Sequence, residues 1–154
     1  MRASTGMAIP ESTWVLIESS DEKSSNWSAE LQKLGIASWA IRESPARTPI
    51  VLLKAVLTGK RPQAVFFRYL NNYRSLPKPA ARTLAEIGAL LICGIFSVRV
   101  FWIGHNVDRE TKRYHPMLSE HRRWMFAKAA ERIFVMDEGL VPIARNIFPV
   151  HAAK

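Results

Sequence analysis

The stretch AVFFRYLNNYRSLPKPAARTLAEIGALLICGIFSVRVFWI, residues 64–103, decides the fold. It opens on Ala64-Val65-Phe66-Phe67, an apolar start suited to a strand buried on both faces, and the strand reads through to Leu70. Asn71-Asn72-Tyr73-Arg74 makes a polar turn. Pro77 and Pro79 introduce a helix from about Ala80 to Phe96. That helix is apolar nearly all round after Glu86, so it is buried or lies against an apolar partner. Arg99 to Ile103 is a second apolar strand, and Gly104-His105-Asn106 closes it. Strand, helix and strand in this order form a βαβ unit, whose strands are parallel.

The flanks repeat the unit. Upstream, Trp14 to Ile17 reads as a strand and Ser19 to Ser25 as a Ser-rich loop. A helix follows from Asn26 to Leu34, with Trp27, Leu31 and Leu34 at helical spacing, Ser25 or Asn26 as cap and Gly35 as terminator. Ala37 to Arg42 is the next strand. Thr48-Pro49 then read as N-cap and first helical position, and the helix Ile50 to Leu57 stops at Gly59. Downstream, a charged loop covers Val107 to Leu118. Ser119 caps a helix through Arg132 with Trp124, Phe126, Ala127 and Ala130 toward the core. Ile133 to Met136 is the last strand, and Asp137 caps a short helix from Gly139 to Asn146. The expected class is α/β: a doubly wound parallel sheet of about five strands, Rossmann-like, in one domain over residues 11–149, with frayed ends at 1–10 and 150–154. Ligands of such sheets bind at the carboxyl ends of the strands, which here means the loops after Ile17, Leu70, Ile103 and Met136.

Composition narrows the chemistry. With 154 residues, of which 48% are hydrophobic, the chain suffices for one core. The formal charge of +9 suits nucleic acid, anionic headgroups or phosphorylated substrates, and equally a solvated basic surface. The basic residues are dispersed and no nucleic-acid motif is present, so nucleic acid is not an expected partner. The single cysteine, Cys93, sits in the apolar run Ile87 to Val98 and reads as a small buried hydrophobe in a reducing compartment. That run is too short to span a bilayer, and Met1 to Ile17 lacks a signal-peptide core, so a cytoplasmic location is expected. No glycine stands between Ser19 and Asn26, which disfavours a dinucleotide cofactor. His105, His115, His121 and His151 lack metal-ligand spacing, and no Gly-x-Ser-x-Gly elbow occurs. The expectation is no cofactor and no metal.

Two clusters carry candidate chemistry. His105 and Asn106 leave the end of a buried strand, where imidazole and carboxamide partner hydroxyls. Asp108 and Glu110 add carboxylates, and Arg109 adds a planar cation suited to phosphate. From spacing alone this loop reads equally as a ligand site or as a solvated turn. Arg68, Asn71 and Asn72 form the second cluster. An arginine in a strand of Val, Phe, Tyr and Leu needs a partner or water, and a local carboxylate is the simpler one.

The run Val100-Phe101-Trp102-Ile103-Gly104-His105-Asn106 resembles the N-terminal domain of GT-B glycosyltransferases of the retaining, group 1 type, which often read "T-x-H-N" here. Ala129-Ala130-Glu131-Arg132-Ile133-Phe134-Val135 is similar to that family's helix-to-strand junction, and Ala64 to Leu70 stands at its third strand. The resemblance runs from about Arg61 to Pro149. It departs from the family at Gly104, at Arg68 in place of a histidine, at Glu131 in place of an aspartate, and in lacking a glycine-rich first loop.

The resemblance implies an acceptor-binding half-enzyme. Its partners would be a donor-binding domain or chain, a nucleotide-sugar donor and a saccharide or lipid-linked acceptor. His105 would contact the hydroxyls of the transferred sugar, Asp108 or Glu110 would orient the acceptor or serve as base, and Arg109 would hold a phosphate. The family's C-terminal domain, with its Glu-x₇-Glu-type donor motif, is not represented in this sequence, so an excised piece or an enzyme split over two chains is expected. Lys60, Arg61, Arg74, Lys78 and Arg82 flank the start of the apolar helix, placed to meet an anionic membrane surface at the inner face or to form a solvated basic face. The competing class is a non-enzymatic binding or regulatory subunit that pairs with another chain.

Overall fold

A computed structural model describes residues 14–18, 22–41, 44–68, 77–104, 115–135 and 138–142. Five strands are present: β1 (Trp14–Ile17), β2 (Ala37–Ala40), β3 (Ala64–Phe67), β4 (Arg99–Gly104) and β5 (Arg132–Val135). Among the described residues, four α-helices join them: α1 (Glu22–Lys33), α2 (Thr48–Leu57), α3 (Pro77–Ile95) and α4 (Pro116–Ala129). The strands form one sheet in the order β2-β1-β3-β4-β5, and every pair is parallel. This is the doubly wound α/β architecture, with its reversal of strand order between β1 and β3.

The two sheet faces are sorted by the strand period of two. Trp14, Leu16, Val65, Phe67, Val100 and Trp102 point to one face, where they form the core with Leu52, Ala55, Ala89, Cys93, Phe126 and Ala127 of α2, α3 and α4. Phe67 and Trp102 both meet the Phe126 ring, at 5.0 and 5.8 Å between centroids. Ile17, Phe66, Ile103 and Phe134 point to the other face, together with Trp27 and Leu31 of α1 and Leu34 just after it. Cys93 is buried in the core, and burial pushes its thiol up to about 12, so it stays a protonated hydrophobe.

Three helices end on the same device. Gly35, Gly59 and Ser97 sit at φ 72°, 72° and 52°. In each case the next amide reaches back five residues: Ile36 to Leu31, Lys60 to Ala55 and Val98 to Cys93, at 2.8–2.9 Å. This is the Schellman closure, which asks for glycine because a Cβ is strained in the left-handed region. The two glycines were legible as terminators and Ser97 was not. Nothing lies within 4 Å of a Cβ built on Gly59, so Gly59→Ala costs backbone strain alone, about 1 kcal/mol. Ser97→Gly is expected to gain up to about 1 kcal/mol by relieving the same strain. Urea unfolding of the two variants measures both, with opposite signs.

Several boundaries differ from the expectation. Helix α1 starts at Glu22, inside the stretch read as a Ser-rich loop, because Ser24 is buried against the body of the domain. Tertiary packing overrides a weak serine propensity there. Helix α2 starts at Thr48 without a side-chain cap; a 3₁₀ turn, Pro45–Arg47, precedes it, and the Thr48 hydroxyl donates to the Pro45 carbonyl at 2.7 Å. Helix α4 begins at Pro116, so Ser119 lies within it and is not its cap. Trp124 is 45% exposed rather than in the core; it stacks on His121 and lies under the Lys128 ammonium. Strand β3 is assigned to Phe67, short of Leu70. Among the described residues no helix is long and apolar enough to cross a membrane.

Candidate functional site

The β1/β3 pairing continues one residue past β1, where the Glu18 amide donates to the Phe66 carbonyl at 3.0 Å. The ladder ends there, and the Glu18 side chain takes over: its Oε2 accepts the Arg68 amide at 3.1 Å. A carboxylate thus occupies the switch point of the sheet, where doubly wound domains receive ligands. Its other oxygen accepts from Arg82 Nη2 of α3. One turn on, Glu86 Oε1 accepts from Arg82 Nε at 2.8 Å. Arg122 of α4 grips the same carboxylate in bidentate fashion, Nε to Oε2 at 2.7 Å and Nη2 to Oε1 at 2.6 Å. The chain Glu18–Arg82–Glu86–Arg122 therefore ties two strand ends to two helices through charge-assisted hydrogen bonds.

The network is deeply buried: Glu18, Arg68, Glu86 and Arg122 are 1–2% exposed. Arg82 and Arg123 are buried as well. Within the network Arg82 and Arg122 are matched by Glu18 and Glu86, and the four buried arginines of the described residues are Arg68, Arg82, Arg122 and Arg123. Burial raises the Glu18 carboxyl from 4.5 to about 7. Desolvation is the dominant cause, opposed chiefly by Arg82 and reinforced by the charge of Glu86. Glu18 is thus a carboxyl that gains and loses its proton near neutrality, and each loss adds one negative charge to the network.

Arg68 is the one sequence-derived site residue within the described structure. Its backbone joins the network, and its guanidinium lies 4.8 Å from the centroid of the Trp27 ring. Glu18 accepts the Arg68 backbone amide, a main-chain contact between residues 50 positions apart, which is a different contact from the pairing of the guanidinium with a local carboxylate that the sequence suggests. His105, Asn106, Asp108, Arg109, Glu110, Asn71 and Asn72 lie outside the described residues. Strand β4 ends at Gly104, beside Val135 of β5, so the chain enters the His105–Glu110 segment from the carboxyl edge.

Sequence reasoning missed Glu18, Glu86, Arg122 and Arg123, and it misplaced Arg82. Read as a cation flanking the apolar helix and facing headgroups, Arg82 is instead buried between Glu18 and Glu86. One signal was available: Arg82 and Glu86 stand at i, i+4 in a helix otherwise apolar on that side. Glu131, the aspartate substitute at the helix-to-strand junction, pairs with Arg99 across the sheet surface through two bonds of 2.6 Å. The hydrogen bond from Arg99 holds its carboxyl below the usual range.

Trp27 links the network to a second feature. Its ring also lines a groove of about 290 Å³ on the α1 side of the sheet, with Ile17, Leu31, Leu34, Phe66 and Phe134. Phe66, Phe101 and Phe134 form a ladder of rings across three strands, 5.1 and 5.9 Å apart. The groove offers apolar burial beside Trp27, on whose ring the Arg68 guanidinium lies. Among the described residues no cluster of three or more His, Cys, Asp or Glu could hold a metal ion.

Fold and network together define a doubly wound α/β domain with a buried ionic network at its carboxyl edge. Compared with family models the chain matches none, and no curated protein matches it.

Proposed function

We propose that the chain is the acceptor-side half of a two-domain glycosyltransferase. In this reading it helps move a sugar from a nucleotide-sugar donor to a saccharide or lipid-linked acceptor, and it turns over only with a donor-binding domain or chain. It works in the cytoplasm, peripheral at the inner membrane face. The observation that supports the reading is the buried arginine–glutamate network at the β1/β3 switch point, which fixes guanidinium groups at the carboxyl edge of the sheet. Transfer builds negative charge on a leaving diphosphate, and preorganised cations at a sheet edge stabilise such charge without reorganising. The apolar groove beside Trp27 favours the lipid-linked form of acceptor, since a chain of methylenes gains from burial there. His105, Asn106, Arg109, Asp108 and Glu110 follow β4 in the sequence and take the roles that the family resemblance assigns them.

The test supplies a donor-binding domain in trans and follows labelled sugar from a panel of nucleotide sugars into lipid and saccharide acceptors. Asp108→Asn combined with Glu110→Gln is expected to lower turnover about 100-fold or more, the scale of a lost general base, with an unchanged melting temperature. Transfer that is indifferent to both substitutions would remove these residues from the mechanism. No transfer with any donor would leave a binding subunit as the better reading.

A further inference from the structure

We propose that the outer face of α2 and α3 docks on an anionic membrane surface. The face is built from two rows of aliphatic side chains. Ile50, Leu53 and Leu57 follow helical spacing along α2, and Leu84, Leu91 and Ile95 follow it along α3 with Gly88 in the same stripe. A Cβ on Gly88 would stand 3.5 Å from Pro49 Cβ, so the α3 stripe runs beside the start of α2. All six aliphatics expose between 42% and 74% of their surface, while Leu52, Ala55, Ala89 and Cys93 of the same helices fill the core. Two helices packed on one side of the sheet thus turn a continuous apolar ridge outward.

Charge identifies the occupant. The two helices together hold one acidic residue, Glu86, and it is buried in the ionic network. Lys54 and Lys78 are exposed on them, and Arg61 lies exposed at the end of α3, where it donates to the Phe96 carbonyl at 2.7 Å. The ridge is therefore rimmed by cations with no exposed carboxylate on either helix. A second copy of this chain would bring like charges together across a two-fold axis. A folded protein partner would find aliphatics without the aromatic anchors that dominate interface energetics. An anionic bilayer accepts both features: the aliphatics enter the acyl boundary, and the cations meet the headgroups. Arg82, buried beneath, takes no part.

This deepens the membrane part of the reading above and rests on that part alone. Vesicle binding involves no sugar transfer, so either can fail without the other. The experiment sediments the whole chain with vesicles of roughly one part phosphatidylglycerol to two parts phosphatidylcholine, and with phosphatidylcholine alone. The chain is expected to bind the mixed vesicles at least about tenfold more tightly, with the advantage shrinking as salt rises. Leu53→Glu with Leu91→Glu is expected to lower partitioning about tenfold or more. Both positions are exposed, so the melting temperature should hold. Lys54→Gln with Lys78→Gln should weaken binding to mixed vesicles only, and it decides the matter if the leucine pair fails to fold. Absence of binding to mixed vesicles, or equal binding by both double variants, overturns the proposal. A dimer in light scattering that the leucine substitutions dissociate, without vesicle binding, overturns it in favour of self-association.

Discussion

Glu86→Gln is expected to cost about 3–5 kcal/mol, the scale for removing one partner of a buried ion pair. Glu86 accepts three hydrogen bonds from Arg82 and Arg122, all inside the domain. The amide keeps the volume but removes the charge, and its NH₂ confronts a guanidinium donor where an oxygen stood. Two buried arginines then lose their shared counter-charge. For a chain of this size the loss corresponds to a fall in Tm of roughly 10 °C. The natural control is Arg99→Gln, which breaks the equally well-formed but exposed pair with Glu131. Solvent screens that pair, and no resolvable change in stability is expected. If the two variants melt alike in urea and by calorimetry, the network is solvated and the description of a buried ionic edge is wrong.

The second large effect is a pH dependence that one side chain carries. The Glu18 carboxyl ionises near 4.5 unfolded and near 7 folded. Between those values the folded state binds more protons than the unfolded state, so stability falls as pH rises. The stabilisation is fully present below about 4.5 and is lost by the time pH has passed 7. Its size is on the order of 3 kcal/mol, because a tenfold change in proton affinity is worth about 1.4 kcal/mol. Glu18→Gln mimics the protonated form and keeps an acceptor for Arg82. The variant should match the parent near pH 5 and exceed it near pH 8. Parallel stability curves for the two proteins across this range would show that burial does not hold the proton. Should the difference appear, the same carboxyl also adjusts the charge of the ligand edge around neutrality, and anion binding there should weaken from pH 6 to pH 8 in the parent only.

The contrast between Glu86 and Glu131 shows what kind of information each level holds. Both glutamates meet an arginine in well-made bonds. Glu131 sits at a helix-to-strand junction that could be read along the chain, and its pair is superficial. Glu86 sits in a helix that read as simply apolar, and its partners come from α3 itself and from α4, 36 positions away. The link from Arg82 to Glu18 spans 64 positions. Local patterning has no access to such separations.

What the sequence determined alone is the class of fold. Short apolar runs, Trp14–Ile17, Ala64–Phe67 and Arg99–Gly104, alternate with helical periodicity, and Gly35 and Gly59 punctuate them. These signals are local, since a strand period, a helix period and a left-handed terminator each need only a few neighbouring residues. Five strands and their parallel pairing follow from the alternation. Tertiary structure decided the rest. The order β2-β1-β3-β4-β5 puts Glu18 and Arg68 side by side at the switch point. Packing of α2, α3 and α4 on one face delivers Arg82, Glu86 and Arg122 to that same place, and it leaves Leu53 and Leu91 outside while burying Leu52 and Ala89. The physical reason is that a charge is tolerated in a core only beside its counter-charge, and which residues become neighbours is settled by how the layers close over one another.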